Sequence, residues 1–180
     1  MRITAGHLRG RHVPVPAAPG IRPTPARVRE ALFNILGDMD ECAVLDLFSG
    51  SGIMALEALS RGARPVCSVD ASSAAIRAMQ TVRRTWGLGE DWRIERGRLP
   101  AALARLQGLR VDVIFADPPY QTGLAEQLPA WLDAHDIACR VLVIEESVRA
   151  GLRWPADWTE TRTRRYGDTC LHFLARKEPV

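Results

Sequence analysis

From residue 42 onward the chain alternates short apolar runs with amphipathic stretches, and that rhythm restricts it to one fold class. "CAVLDLF", "PVCSVD", "WRIE", "VDVIFA" and "ACRVLVIEES" read as strands. Between them, "IMALEALSR", "SSAAIRAMQTVRRTW", "LPAALARL" and "TGLAEQLPAWLDA" carry the spacing of core-facing helices, with Gly87 ending the second and Pro129 expected to kink or split the last. Repeated β–α alternation predicts an α/β fold with a mostly parallel sheet covered by helices on both faces. The tail changes period: "WTETRTRRY", Gly167-Asp168 and "TCLHFLARK" read as a hairpin that adds an antiparallel edge.

The N-terminal part is different in kind. "RIT" and "RHVPV" suggest a short hairpin restricted to a sheet edge by Pro14 and Pro16, followed by the connector "PAAPGIRPTP". Thr24 is expected to cap a helix whose first residue is Pro25. In that helix Val28, Ala31, Leu32 and Ile35 form the core stripe, Arg27, Glu30 and Asn34 share another face, and Gly37 closes it. Residues 1–36 carry Arg2, Arg9, Arg11, Arg22, Arg27 and Arg29 against the single acid Glu30. With 23 arginines and one lysine, codon usage explains part of this, but the clustering favours a phosphate-facing surface. The division is therefore a basic arm, residues 1–22, and a main domain, residues 23–180.

Composition excludes several classes. At 180 residues with 47% hydrophobic and 25% charged content, the chain can bury a core without staples. It contains no apolar run of about 18 residues, so no membrane span is expected. "MRITAGHLRGRHVPVP" has charges where a secretory signal needs an apolar centre, which points to the cytoplasm. Cys42, Cys67, Cys139 and Cys170 are scattered without metal-ligand spacing and no metal is expected; the first three read as buried strand or strand-edge thiols and Cys170 as half-exposed.

Two stretches carry chemistry. In "LDLFSGSGIMALEAL" a strand runs into Ser49-Gly50-Ser51-Gly52 and then a helix, a turn that lets a ligand approach the backbone beside free helical N–H groups. Asp70 ends the next strand about twenty residues later, where an acid can accept ribose hydroxyls; the same carboxyl could instead cap the following helix. Gly50-x-Gly52-x-x-Ala55 also fits a dinucleotide fingerprint. Asp46, four residues before Gly50, would repel a pyrophosphate and attract a sulfonium and an ammonium, so the electrostatics favour S-adenosylmethionine over NAD. The second stretch is "VDVIFADPPYQTG". At the tip of its strand, Asp117 and the Pro118 carbonyl could hold both N–H groups of an exocyclic base amine. Pro119 would stiffen the loop and Tyr120 would stack on the base.

"DPPY" downstream of a glycine-rich strand–turn–helix resembles the motif of S-adenosylmethionine-dependent amino-methyltransferases. "RPTPARVREALFNIL", "LDLFSGSGIMALEALSRGA", "VIFADPPYQTG", "VIEES" and "RRYGDTCLHF" resemble, in order, the blocks of the RsmD family, which methylates N2 of one guanine of bacterial 16S rRNA. The resemblance implies a Rossmann-like class I methyltransferase fold with strand order 3-2-1-4-5-7-6 and an N-terminal hairpin extension. It implies S-adenosyl-L-methionine as cofactor, guanine 966 as target, and the 30S subunit or its precursor as substrate, with a monomer as the default state. Carried onto this chain, it puts Asp46, Phe48 and Ser49 to Gly52 around the methionine end, Asp70 and Ala71 at the ribose, and Asp117 to Tyr120 on the guanine. Arg22, Thr24 and Arg27 would meet rRNA or close over the site, while Arg2, Arg9 and Arg11 track phosphates. The chain departs from the family at Arg98 and Leu99, which stand where a polar pair often reaches the adenine amine, and at Met54, which replaces a frequent glycine. Arginine cannot accept from that amine, so either a backbone carbonyl makes the contact, with Leu99 packed on the ring, or the cofactor is held more weakly than usual. Rival readings are a DNA amino-methyltransferase, a methyltransferase acting on protein glutamine, and an rRNA-binding assembly factor without catalysis.

Overall fold

The computed structural model describes residues 1–15 and 24–177. Arg22 and the connector 16–23 lie outside the described residues. One seven-stranded sheet has the order β3-β2-β1-β4-β5-β7-β6. Its strands are β1 (Val44–Leu47), β2 (Val66–Asp70), β3 (Trp92–Arg96), β4 (Arg110–Ala116), β5 (Ala138–Ser147), β6 (Trp158–Tyr166) and β7 (Thr169–Arg176). β1 to β5 run parallel, β7 is antiparallel to β5, and β6 is antiparallel to β7. This is the Rossmann-like methyltransferase order that the family resemblance implies.

Helices α1 (Ala26–Leu36), α2 (Ile53–Ser60), α3 (Ser73–Trp86) and α4 (Leu124–Ala134) cover the sheet. Val28, Leu32, Leu56, Ile76 and Met79 pack on one face with Val143, Leu171 and Phe173. Leu103, Leu128 and Leu132 pack on the other with Leu45, Ile114 and Ile144. Local chemistry sets the boundaries of α3: the Ser72 hydroxyl accepts from Ala75 N at 3.3 Å, and Gly87 ends the helix at φ 67° with Arg83 and Arg84 in the last turn. No helix among the described residues is long and apolar enough to cross a membrane.

Several expectations are corrected. Pro25 occupies the cap position of α1, and Thr24 does not cap it. The Thr24 hydroxyl donates instead to Glu145 at 2.9 Å, because a buried carboxylate is a stronger acceptor than the local backbone is a donor. α4 runs unbroken across Pro129, whose missing N–H costs one bond while buried Leu128 and Leu132 hold both sides of it. "LPAALARL" forms a six-residue 3₁₀ turn, too short to sustain an α-helix. The N-terminal hairpin reduces to a single bridge between Arg2 and His12. The cysteine pattern is reversed: Cys170 is buried because β7 lies inside the sheet, while Cys42, Cys67 and Cys139 are half-buried and all four are free.

The N-terminal segment is tied to the main body by burial and charge together. Ile3, Leu8 and Val13 join the helix-side core. Arg29, counted above with the phosphate-facing arginines, is buried and does not face solvent. Its Nε donates to Glu57 Oε1 at 3.1 Å, Nη1 to the Thr24 carbonyl at 2.6 Å, and Nη2 to the Arg2 carbonyl at 2.6 Å. Glu57, fully buried in the middle of α2, also accepts from the Thr4 N–H and hydroxyl, each at 2.9 Å. The guanidinium thus finds three acceptors in the interior, as a buried charge requires. Glu57→Ala leaves that charge unpaired, and urea unfolding is expected to show a loss of about 3–5 kcal/mol. Amide-exchange protection between Ile3 and Val13 should fall with it.

Candidate active site

The sheet order reverses direction between β1 and β4, and in open α/β sheets ligands bind beyond the strand ends at such a point. The chain leaves β1 through Phe48, a non-glycine residue at φ 58°, then Gly50 at φ 55° and Gly52 at φ 74°. Such a conformation at Phe48 is strained and is found mostly at functional turns. Ser49 locks the turn, its hydroxyl donating to the Asp46 carbonyl at 2.6 Å, and buried Ser51 lies inside it. The two glycines have separate reasons. A Cβ on Gly52 would meet Trp92 at 2.8 Å and Met79 at 2.9 Å, so this glycine serves packing. A Cβ on Gly50 would have nothing nearer than the Phe48 carbonyl at 4.0 Å, so Gly50 borders open space. Asp70 fastens this turn to β2, accepting from Gly50 N at 2.8 Å and Ser72 N at 2.7 Å. Capping of α3 belongs to Ser72, and each Asp70 oxygen keeps a lone pair for a further donor.

Asp46 lies beneath the turn, accepting from Ala55 N at 3.3 Å. Burial raises its carboxyl to about 7. Across the switch point, Asp117 N donates to the Leu47 carbonyl at 3.4 Å, which sets the Asp117–Tyr120 tetrad directly beside the glycine turn. Asp117 is raised well above the ordinary carboxylate range, first by burial and then by the neighbouring charges of Glu145, Asp46 and Glu146. Pro118 is buried and Pro119 exposed. Tyr120 is half-buried, and its hydroxyl donates to Glu145 Oε1 at 2.9 Å and meets Thr169 Oγ1 at 2.9 Å. Gln121 follows at φ 58°, its N–H on Glu146 at 3.2 Å. Four carboxylates therefore line one end of the site with no basic side chain among their interaction partners there, an environment that favours a cation. No group of three or more His, Cys, Asp or Glu suited to a metal occurs among the described residues. Burial pushes the Cys67 and Cys139 thiols up to about 11 and about 12, so neither is a thiolate nucleophile at neutral pH.

Other expected site residues lie further out. Arg98 is exposed and its carbonyl accepts from Ala102 N at 3.0 Å, while half-buried Leu99 packs on the core of the α4 face. Ala71 is exposed at the end of β2, and Met54 is half-buried in α2. Thr24 reaches the site through Glu145, and Arg27 is exposed on the first turn of α1. Arg11 is not brought to the site. His7 N donates to the Ser60 carbonyl at the far end of α2, and Arg11 lies 5.1 Å over Trp86 at the far end of α3. Fourteen residues of α3 put Arg11 roughly 20 Å from the Asp70 end. Arg2 donates to the Gly10 carbonyl at 3.1 Å and Arg9 is exposed in the same segment. Reading the sequence by role missed Glu145, Glu146 and Thr169. The detectable signal was two adjacent acids ending an otherwise apolar buried strand.

A seven-stranded sheet of this order, with a glycine turn and the Asp117–Tyr120 tetrad beside each other at its switch point, puts the chain among the Rossmann-like methyltransferases. Within that class the chain belongs to the RsmD family: the family model described as "Conserved hypothetical protein 95" matches residues 1–175. Ribosomal RNA small subunit methyltransferase D of Escherichia coli (strain K12) is 34% identical over 98% of this chain and 90% of that protein. The solved structure of the putative methyltransferase yhhF from Escherichia coli superposes with TM-score 0.83 at 31% identity, covering 99% of both chains. An RNA methyltransferase from Salinibacter ruber, solved with S-adenosyl-L-homocysteine, shares the fold at TM-score 0.65 and 18% identity, covering 88% of this chain and 97% of that one.

Two outcomes follow from the geometry. Because the Asp46 carboxyl is raised to about 7, the folded protein keeps a proton that the unfolded chain releases near pH 4. Its contribution is therefore favourable at low pH and is lost as pH rises through about 7. Relative to Asp46→Asn, the wild type should lose up to ~4 kcal/mol of unfolding free energy between pH 4 and pH 8 in urea titrations. Alanine at either glycine carries left-handed strain, but Gly52→Ala adds overpacking of about 1–3 kcal/mol, so its urea midpoint should fall further than that of Gly50→Ala.

Proposed function

We propose that this protein transfers the methyl group of S-adenosyl-L-methionine to the exocyclic N2 of a guanine in 16S rRNA, position 966, within the 30S subunit or its precursor in the cytoplasm. The observation that carries this reading is the pairing of an open glycine turn over buried Asp46 with the Asp117–Tyr120 tetrad, joined at 3.4 Å through Asp117 N and the Leu47 carbonyl. The name of the Escherichia coli relative, a ribosomal RNA small subunit methyltransferase, supports the choice of substrate.

The residues fit such a cofactor. Gly50 leaves room for close approach, the Asp70 oxygens keep lone pairs that ribose hydroxyls can use, and the excess of carboxylate suits a sulfonium and an ammonium. When bound, the cofactor supplies an electrophilic methyl on a cationic sulfur. Everything else is positioning. A guanine amine is a poor nucleophile because its lone pair is delocalised into the ring. The Asp117 carboxylate and the Pro118 carbonyl accept its two N–H bonds, turning the lone pair toward the methyl and stabilising the positive charge that develops on nitrogen; as the carbon–sulfur bond breaks the sulfur leaves as a neutral thioether, and the methylated nitrogen then gives one proton to water. A cation beside Asp46 and Asp117 opposes the effect of burial and favours their ionised forms. Tyr120, its hydroxyl fixed by Glu145 and Thr169, presents a ring of set orientation for the base to stack on. The base must arrive unstacked, from a loop or by flipping.

Methyl-labelled cofactor incubated with 30S particles, naked 16S rRNA and duplex DNA tests the reading. Label at guanine N2 in the particle supports it; label in DNA alone, or in none, overturns it. Asp117→Ala should reduce kcat by about 10²–10³ while the cofactor Kd, measured by calorimetry, changes by no more than a few-fold.

A further inference from the structure

We infer that the exposed edge strand β6 is an RNA-binding surface in which Arg162, Arg164 and Arg165 hold phosphates of the strand that flanks the target base. This rests on the proposed rRNA substrate and adds a contact surface on the strand β6.

β6 is the outermost strand on its side of the sheet, and every residue from Thr159 to Arg165 is exposed. Among the described residues, none of its three arginines forms an ion pair with a carboxylate. Arg164 donates only to the adjacent Thr163 carbonyl at 2.9 Å, and Arg165 only to the Gly167 carbonyl at 2.9 Å. The acid on the strand, Glu160, is already engaged by His172 at 2.5 Å and Thr163 at 2.7 Å. On the opposite edge Glu95 forms ion pairs with Arg93 at 2.8 Å and Arg105 at 3.2 Å, while Arg96 at the end of β3 has no carboxylate partner among the described residues. The β3 edge thus carries an acid that holds two arginines, whereas no carboxylate holds any of the three arginines of β6.

Register ties the free edge to the site. Tyr166 pairs with Thr169, whose hydroxyl meets the Tyr120 hydroxyl at 2.9 Å. Arg165 and Arg164 are the next two residues along the strand, opposite Cys170 and Leu171. The arginine row therefore begins at the rim beside the base platform and leads away from it. Arg162 and Arg164 are opposite Phe173 and Leu171, which belong to the core beneath α1, so both point to the α1 side of the sheet, the side that carries exposed Arg27. Two residues along a strand span about 6.8 Å, comparable to the step between successive phosphates of a nucleic-acid strand. The other reason to charge an edge strand is to prevent edge-to-edge pairing, which either sign of charge achieves.

That difference sets the test. Arg162→Glu, Arg164→Glu and Arg165→Glu together keep the edge charged but reverse its sign; the matching triple Lys variant keeps the sign, and a triple Gln variant serves if the Glu form is unstable. Binding to 30S particles is measured across a salt series, alongside thermal unfolding and cofactor affinity. The Glu or Gln protein should remain monodisperse and bind cofactor normally. Its affinity for particles should drop at least tenfold, and its log–log salt slope should be shallower by about 2. The Lys protein should keep the wild-type slope. Wild-type affinity and slope in a folded Glu or Gln protein would overturn the inference and leave β6 a guarded edge. A wild type that methylates no rRNA and binds none with salt dependence would overturn the proposed function as well.

Discussion

The buried pair of Arg29 and Glu57 organises more of the molecule than any other contact. Glu57 lies inside α2, on the far side of the glycine turn from the tetrad, and it fixes both the N-terminal segment and a guanidinium. That guanidinium holds the Thr24 carbonyl, and the Thr24 hydroxyl in turn donates to Glu145. Glu145 holds the Tyr120 hydroxyl, which also touches Thr169 on β7. A continuous polar path thus runs from residues 2–4 to the base platform through groups that are buried or half-buried. Each member is satisfied by the next, which is what makes a polar network tolerable in an interior.

The protein separates its charges. Its net charge is +3, yet the switch point gathers Asp46, Asp117, Glu145 and Glu146 around one cleft. Arginines dominate the surface elements instead: the arm, the first turn of α1 and the free edge. Such a division suits a reaction that joins a cationic small molecule to an anionic polymer. The polymer's phosphates are met outside, and the cleft presents to the methyl donor an environment where burial and mutual repulsion make neutral carboxyls and bound cations the favoured states.

Much of this was legible from local pattern. The β–α alternation predicted the parallel sheet, and the change of period at residue 158 predicted the hairpin, because apolar periodicity follows from which face is buried. Asp46, Gly50, Asp70 and Asp117 were visible because strand-end residues in such a sheet converge at one rim. Thr24 was misread since its alternatives, a local cap or a partner 121 residues away, look identical in sequence. Arg29 was misread for the same reason: its position on the helix did not reveal that Glu57 waits opposite it. Cys170 followed suit, because only the pairing of β7 between β5 and β6 covers it.

By itself, the sequence determined the seven strands of the sheet and their order along the chain, the glycine turn and the Asp117–Tyr120 tetrad, since each depends on residues close together in the chain. Tertiary structure decided the partners. It separated Gly50, open to a ligand, from Gly52, held against Trp92. It also turned two acids of "VIEES" into the anchors of Tyr120 and of the loop that follows, and it brought the edge that carries the β6 arginines to that tyrosine while leaving Arg11 at the far end of α3. The physical reason is the same in every case. Burial and charge compensation depend on distances across the sheet, and no spacing along the chain encodes those distances.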